Sequence, residues 1–246
     1  MRLSYNAAWD DAAALLRAHG SLLAALAGVF LFLPTLVLRE VAPPPLMTAN
    51  LAETVALFQA YVEASWPLLL ASRLVELVGS VAILQLLLGP RGTSVGGAIV
   101  AGGMLVPFYF VASVLGSFAI GIGLMLLLVP GLYLIGRLAL LPAVVVAERR
   151  RNPVDALRRT ALLTAGHGWA ILALIVLVTV ATWVVAVVGG SAVGIVFALL
   201  AGKAVATFAA AACAAGAGAA GEVVLLAFYA ALYRALMAQP SARVAD

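Results

Sequence analysis

Six apolar runs, near 20–38, 66–88, 104–129, 132–147, 169–189 and 215–237, divide this chain. A helix crosses the bilayer core in about 20 residues, and shorter spans occur. Lipid offers the backbone no hydrogen-bond partner, so such runs must satisfy their own N–H and C=O groups as helices. The expected fold is all-α: a polytopic membrane protein of about six transmembrane helices with interfacial amphipathic helices, forming one integral membrane domain over 1–246. The composition agrees, because 65% of residues are hydrophobic and 10% are charged, whereas a soluble domain is nearer a quarter charged.

Some boundaries are open in the sequence. The fourth run is the shortest, bounded by Pro130-Gly131 and interrupted by Pro142. The Ala- and Gly-rich region 191–221 reads as an extra turn, a re-entrant piece or the start of the last span. The first run reads as a retained span rather than a cleaved leader: Asp10 and Asp11 precede it, and it ends in Arg39-Glu40 without a small-residue cleavage pattern.

The cations set an orientation. With the N-terminus inside and six spans, the inner side holds Arg2, Arg17, Arg91, Arg149, Arg150, Arg151, Arg158, Arg159, Arg234 and Arg243. The outer side holds Arg39 and Lys203, and Arg73 and Arg137 fall within spans. Positive loops resist translocation, so both termini are expected in the cytoplasm of a bacterial inner-membrane protein. Basic residues at the ends of apolar runs argue against nucleic acid as a partner, which would need a basic polar face. The expected partners are membrane lipids.

Between the spans lie amphipathic pieces. In 3–19, Ala8, Ala12, Leu15, Leu16 and His19 share one side, with Asp10, Asp11 and Arg17 elsewhere. In 51–64, Leu51, Val55, Phe58 and Val62 recur at helical spacing, and Asn50 with Glu53 suggests a cap. In 153–165, Asn152 can cap, Pro153 suits the first helical position and Gly166 can stop the helix. These pieces either lie in the membrane interface or serve as structured connectors. The expectation for the inner surface is that Arg149, Arg150, Arg151, Arg158 and Arg159 meet anionic lipid head groups.

The stretch 130–169 also carries a resemblance. Its residues are Pro130-Gly131, Tyr133, Arg137-Leu138, Pro142, Glu148, Pro153, Ala156-Leu157, Arg158-Arg159-Thr160, Leu163-Thr164, Gly166 and Trp169. The block resembles the membrane domain attached to some glycerophosphodiester phosphodiesterases, and is similar to YciC-like bacterial inner-membrane proteins of unknown function. Extended over about 7–237, the resemblance implies an N-terminal amphipathic helix, six spans and a basic segment before the fifth. His167 departs from the small polar residue usual there. A phosphodiesterase barrel would need roughly 200–250 further residues, so the resemblance implies a membrane component and brings no catalytic residue to this chain.

Charge inside the spans is the main functional clue, since an ionisable group at mid-membrane costs several kcal/mol unless paired or hydrated. At 1.5 Å per residue, Arg73 lies roughly 10 Å below the outer end of the second span, and Arg137 at a similar depth in the fourth. Glu76 shares the face of Arg73, three residues on. Glu222 enters the sixth span from the outer side. The four predict a polar cluster in the outer half of the bundle, serving either as a pocket for a head group or solute or as a packing network. The runs Ser113, Ser117, Gly121 and Cys213, Ala217, Gly221 place small residues every fourth position, which allows close helix packing.

Catalytic patterns are scarce. Cys213 is the sole cysteine, His19 and His167 lack acidic partners at metal spacing, and no serine sits in a nucleophile elbow. No metal or cofactor is expected. Two functions remain: a non-enzymatic inner-membrane protein of envelope or lipid homeostasis, or a transporter or lipid-handling protein that uses Arg73, Glu76, Arg137 and Glu222.

Overall fold

The computed structural model describes residues 5–89 and 95–238. Arg2, Arg91 and Arg243, counted above with the inner side, lie outside the described residues. No strand occurs among the described residues. Six helical stretches are long and apolar enough to cross a membrane: Ala7–Val41, Leu51–Leu88, Val106–Leu126, Leu128–Glu148, Gly168–Leu200 and Lys203–Met237. Each overlaps one of the six apolar runs.

The first stretch is one bent rod. Helix α1 (Tyr5–Ala27) bends at His19, whose φ of −120° and ψ of 16° are non-helical. Before the bend Ala8, Ala12 and Leu15 are buried and Asp10 and Arg17 exposed, as the pattern predicts. A π-helical turn, Gly28–Phe32, then leads into α2 (Leu33–Val41). Pro34 supplies the reason. It has no N–H to give residue 30, and its ring crowds that carbonyl. The helix widens there, and the N–H of Leu33 bonds the carbonyl of Gly28, five residues back.

Helix α3 (Leu51–Leu88) has 38 residues, about 57 Å, nearly twice the bilayer core. The Asn50 side chain caps it, accepting from the N–H of Ala52 at 3.0 Å. The segment 51–64 is therefore the N-terminal part of the second span's own helix rather than a separate one. Leu51, Val55 and Val62 stay exposed along it.

Helix α4 (Val95–Gly103) folds back along the end of α3, where Gly102 meets Val81. Helices α5 (Val106–Leu126) and α6 (Leu128–Leu138) form a hairpin about the extended Leu127, closing where Gly123 faces Gly131. The chain breaks at Leu140 and resumes as α7 (Leu141–Glu148), with Pro142 in its first turn, where a missing N–H is harmless.

Helix α8 (Pro153–Leu163) starts at Asn152, whose side chain accepts from the N–H of Val154 at 3.0 Å. The chain turns after it through Gly166, at φ +78°. Helix α8 packs on α5, α6 and α7, and its Leu157 reaches Gly116 in mid-α5. It is tucked against the bundle as well as placed between spans.

Helices α9 (Gly168–Leu200) and α10 (Lys203–Met237) are antiparallel and joined by Ala201 and Gly202, the latter at φ +87°. This resolves 191–221 as the facing ends of two long helices. Their backbones approach closely: Gly221 faces Thr182, and Gly189 faces Cys213. The small residues of α10 thus serve packing within the chain. The tightest core lies at the arginine-rich end, where Val81–Leu87 of α3, Leu141–Val146 of α7 and Leu226–Leu236 of α10 meet.

Candidate functional site

Halfway along the bundle a cavity of about 210 Å³ is lined by Leu31, Thr35, Arg73, Glu76, Ser80, Gly218, Ala219 and Glu222. Three elements build it. The π turn and α2 bring Leu31 and Thr35, α3 brings Arg73, Glu76 and Ser80, and α10 brings Glu222 beside two small residues that leave the space open. Arg73 Nη1 is 3.3 Å from Glu76 Oε2, the i, i+3 pairing expected of one helix face. Thr35 Oγ1 lies 2.7 Å from the Leu31 carbonyl and 3.3 Å from Glu76 Oε1. Its one proton serves one of them at a time. The Arg73 side chain is 60% exposed along the bundle's flank, while Glu76 is 23% exposed.

Glu222 differs from Glu76. It has Arg73 and Glu76 as charged neighbours, yet its carboxylate takes no hydrogen bond or ion pair from any described residue. On its other side it lines a second cavity of about 240 Å³ between α5, α6, α7 and α10. That cavity offers Tyr109, Ser113, Ser117 and Tyr229 as polar groups. The carboxylate therefore stands between two polar spaces in the middle of the molecule.

Arg137, expected in this cluster, is elsewhere. Its Nε donates to Thr164 Oγ1 at 3.2 Å, its Nη1 to Tyr133 Oη at 3.0 Å and its Nη2 to the Ala161 carbonyl. The guanidinium also lies 5.5 Å from the Tyr133 ring centre, and that ring packs on Trp169. Gly136 and Gly168 allow α6 to approach the first residue of α9 closely. Residue 137 is thus level with the start of α9, at the arginine-rich end. Counting residues down from an outer boundary failed because it assumed an upright span, and the α6–α7 rod is broken at 139–140. Arg137 clamps α8 and α9 to α6 and has no contact with Glu76 or Glu222.

The arginines expected at the inner surface divide. Arg149, Arg151 and Arg158 are exposed. Arg159 is buried, with 5% of its side chain exposed, and its Nε lies 3.1 Å from Glu148 Oε1. Arg150 Nε is 2.6 Å from Glu148 Oε2, and the Tyr233 hydroxyl donates to Oε1 at 3.3 Å. Arg159 therefore faces the core rather than lipid, and Arg150 is held by the same carboxylate. A signal for this was present in the sequence: Ala156, Arg159, Thr160 and Leu163 fall at i, i+3, i+4 and i+7, the buried face of α8. Nearby, Arg234 pairs with Asp11 at 3.6 Å and donates to the Leu87 carbonyl at 2.8 Å. This joins the two ends of the described chain at one face of the bundle. Gln85 Nε2 is the buried side-chain atom left without a partner among the described residues.

Sequence reasoning missed Thr35, Ser80, Tyr109 and Tyr229 around Glu222. Pro34, inside the first run, was the available sign of an irregular helix beside the cavity. Among the described residues no three His, Cys, Asp or Glu side chains gather to hold a metal ion. Comparison with protein-family models, with curated proteins and with solved structures gave no match to this chain.

Proposed function

We propose that this chain is a non-catalytic, multi-pass protein of the bacterial cytoplasmic membrane that handles a small polar ligand in the cavity of Arg73, Glu76 and Glu222. This is the transport or lipid-handling reading, within a role in envelope or lipid homeostasis. The observation that carries it is Glu222, a carboxylate between two cavities with no hydrogen bond to hold it. Glu222 is half-buried, and a carboxylate drawn out of water is stabilised by a proton, a cation or donors. Two carboxylates face one guanidinium, so the site has room for a positive charge. The ligand class is a small ammonium compound, and Arg73 suits an anionic group on the same molecule, such as a phosphodiester. A zwitterionic head group has this pattern, and the exposed flank at Arg73 gives it a lateral way in. The six helices long and apolar enough to cross a membrane support the membrane part of this reading.

The test is thermal stabilisation and calorimetric binding of purified protein with glycerophosphoethanolamine, using glycerophosphoglycerol as a control without the ammonium group. The first should bind and the second should not, and Glu222→Gln should abolish binding. Equal behaviour of the two probes, or unchanged binding by Glu222→Gln, would overturn the reading and leave a scaffold.

The same proposal puts the arginine-rich face in the cytoplasm, with Arg149, Arg151 and Arg158 against anionic head groups. A single cysteine at Arg151, in a Cys213→Ala background, should resist an impermeant thiol reagent in intact cells and react after lysis. Labelling in intact cells would reverse the orientation.

A further inference from the structure

A groove of about 640 Å³ runs between α9 and α10 at the end of the bundle away from the arginine-rich face. Its walls are small: Gly190, Ser191 and Gly194 of α9 face Ala206, Ala210 and Ala214 of α10. Both basic residues of that end, Arg39 of α2 and Lys203 of α10, line it. Both are exposed, and Glu40, next to Arg39, is not among the lining residues. Lys203 opens α10, whose N-cap Gly202 brings no side-chain cap. The first bond in that turn runs from the N–H of Ala206 to the Gly202 carbonyl, so the N–H groups of Lys203, Ala204 and Val205 have no earlier helical carbonyl to meet. A helix N-terminus with free N–H groups favours an anion.

We infer that this groove holds one anionic phospholipid, with its phosphate between Arg39 and Lys203 and an acyl chain along the Gly/Ala floor. The physical case joins two complementary parts. The floor is mostly Gly and Ala, with Val187 and Ile195 its largest apolar side chains, so it fits a flexible hydrocarbon chain. The rim is cationic at one end only, so it selects the sign of the head group. A soluble anion would use the rim without the floor, and a zwitterionic lipid would use the floor without the full gain at the rim. The site is separate from the Arg73, Glu76 and Glu222 cavity and does not depend on a ligand there.

The experiment is native mass spectrometry of the purified protein with added dioleoyl phosphatidylglycerol. The double variant Arg39→Gln/Lys203→Gln, which removes both charge-assisted contacts, should retain this lipid at least about tenfold less than the wild type. Ala198→Leu should lower retention similarly with both cations present, because Ala198 is an exposed lining residue and a larger side chain then occupies the floor. Arg39→Lys/Lys203→Arg should keep it. Melting temperatures of all variants are recorded, and these exposed or groove-lining positions should leave them unchanged. Wild-type retention in the double glutamine variant would overturn the site. So would full retention by Ala198→Leu, since the lipid would then be bound by charge alone without the groove.

Discussion

At the arginine-rich end, Glu148 is enclosed by Arg150, Arg159 and the Tyr233 hydroxyl, and Arg137 is spent on Thr164, Tyr133 and the Ala161 carbonyl. In mid-bundle, Glu222 looks into two cavities and Arg73 lies largely exposed on the flank. The same residue types are closed in one place and open in the other. Where the partners are side chains of the chain itself, the charge organises packing. Where the partners are missing, the charge is kept at a cost in stability, and a cost of that kind fits a site for something that comes and goes.

The comparison makes its largest forecast at Glu148. Glu148→Ala leaves Arg159 buried without its carboxylate, and breaking such a pair costs about 3–5 kcal/mol. Denaturation in detergent should show that loss, and Glu148→Leu/Arg159→Leu should recover much of it. A loss below about 1 kcal/mol would mean that the network is surface electrostatics.

Arg137→Leu comes next, at about 2–3 kcal/mol, because it removes hydrogen bonds from a charged donor and strands a half-buried carbonyl. Arg137→Lys should rescue little, since a single ammonium cannot serve three acceptors spread over a planar fork. A melt equal to wild type for the lysine variant would show that charge, and not geometry, holds α8 to α6.

A smaller effect of opposite sign is expected at Arg149, which ends α7 in the left-handed region at φ 48°. Arg149→Gly should stabilise the protein by up to about 1 kcal/mol by relieving the Cβ conflict. A decrease in melting temperature would show that the exposed side chain has a partner, such as bound lipid phosphate, that outweighs the strain.

The smallest stability change belongs to Glu222→Gln, below about 1 kcal/mol, because no ion pair or hydrogen bond is lost. A loss as large as that of Glu148→Ala would erase the contrast between the two regions.

Much of the frame is legible in the residues. Runs of apolar side chains need no partner to declare a helix in lipid, so the six spans follow from the chain alone. Local chemistry is equally direct. Asn50 and Asn152 cap the helices that follow them, Gly166 turns the chain after α8, and Arg73 and Glu76 pair because three residues nearly complete a turn. The cluster is only partly legible. Arg73, Glu76 and Glu222 meet, while Arg137 does not, and the groups that complete the surroundings come from Thr35, Ser80, Tyr109 and Tyr229.

Spacing along a helix reports which residues share a face, and this is what the sequence determined. It cannot report which way that face turns or how far the helix leans. Arg158 and Arg159 are neighbours in sequence but about 100° apart around α8, and only packing of α8 on α5, α6 and α7 selected Arg159 for the interior. Arg137 sits in an apolar run, and its depth was set by the break at 139–140 and by two glycines that let α6 meet the start of α9. Glu222 became the open carboxylate because α10 packs on α3 while a cavity separates it from α5, and neither helix supplies it a donor. These are contacts between segments far apart in the chain, decided by how the helices lean and pack, and no local pattern encodes them.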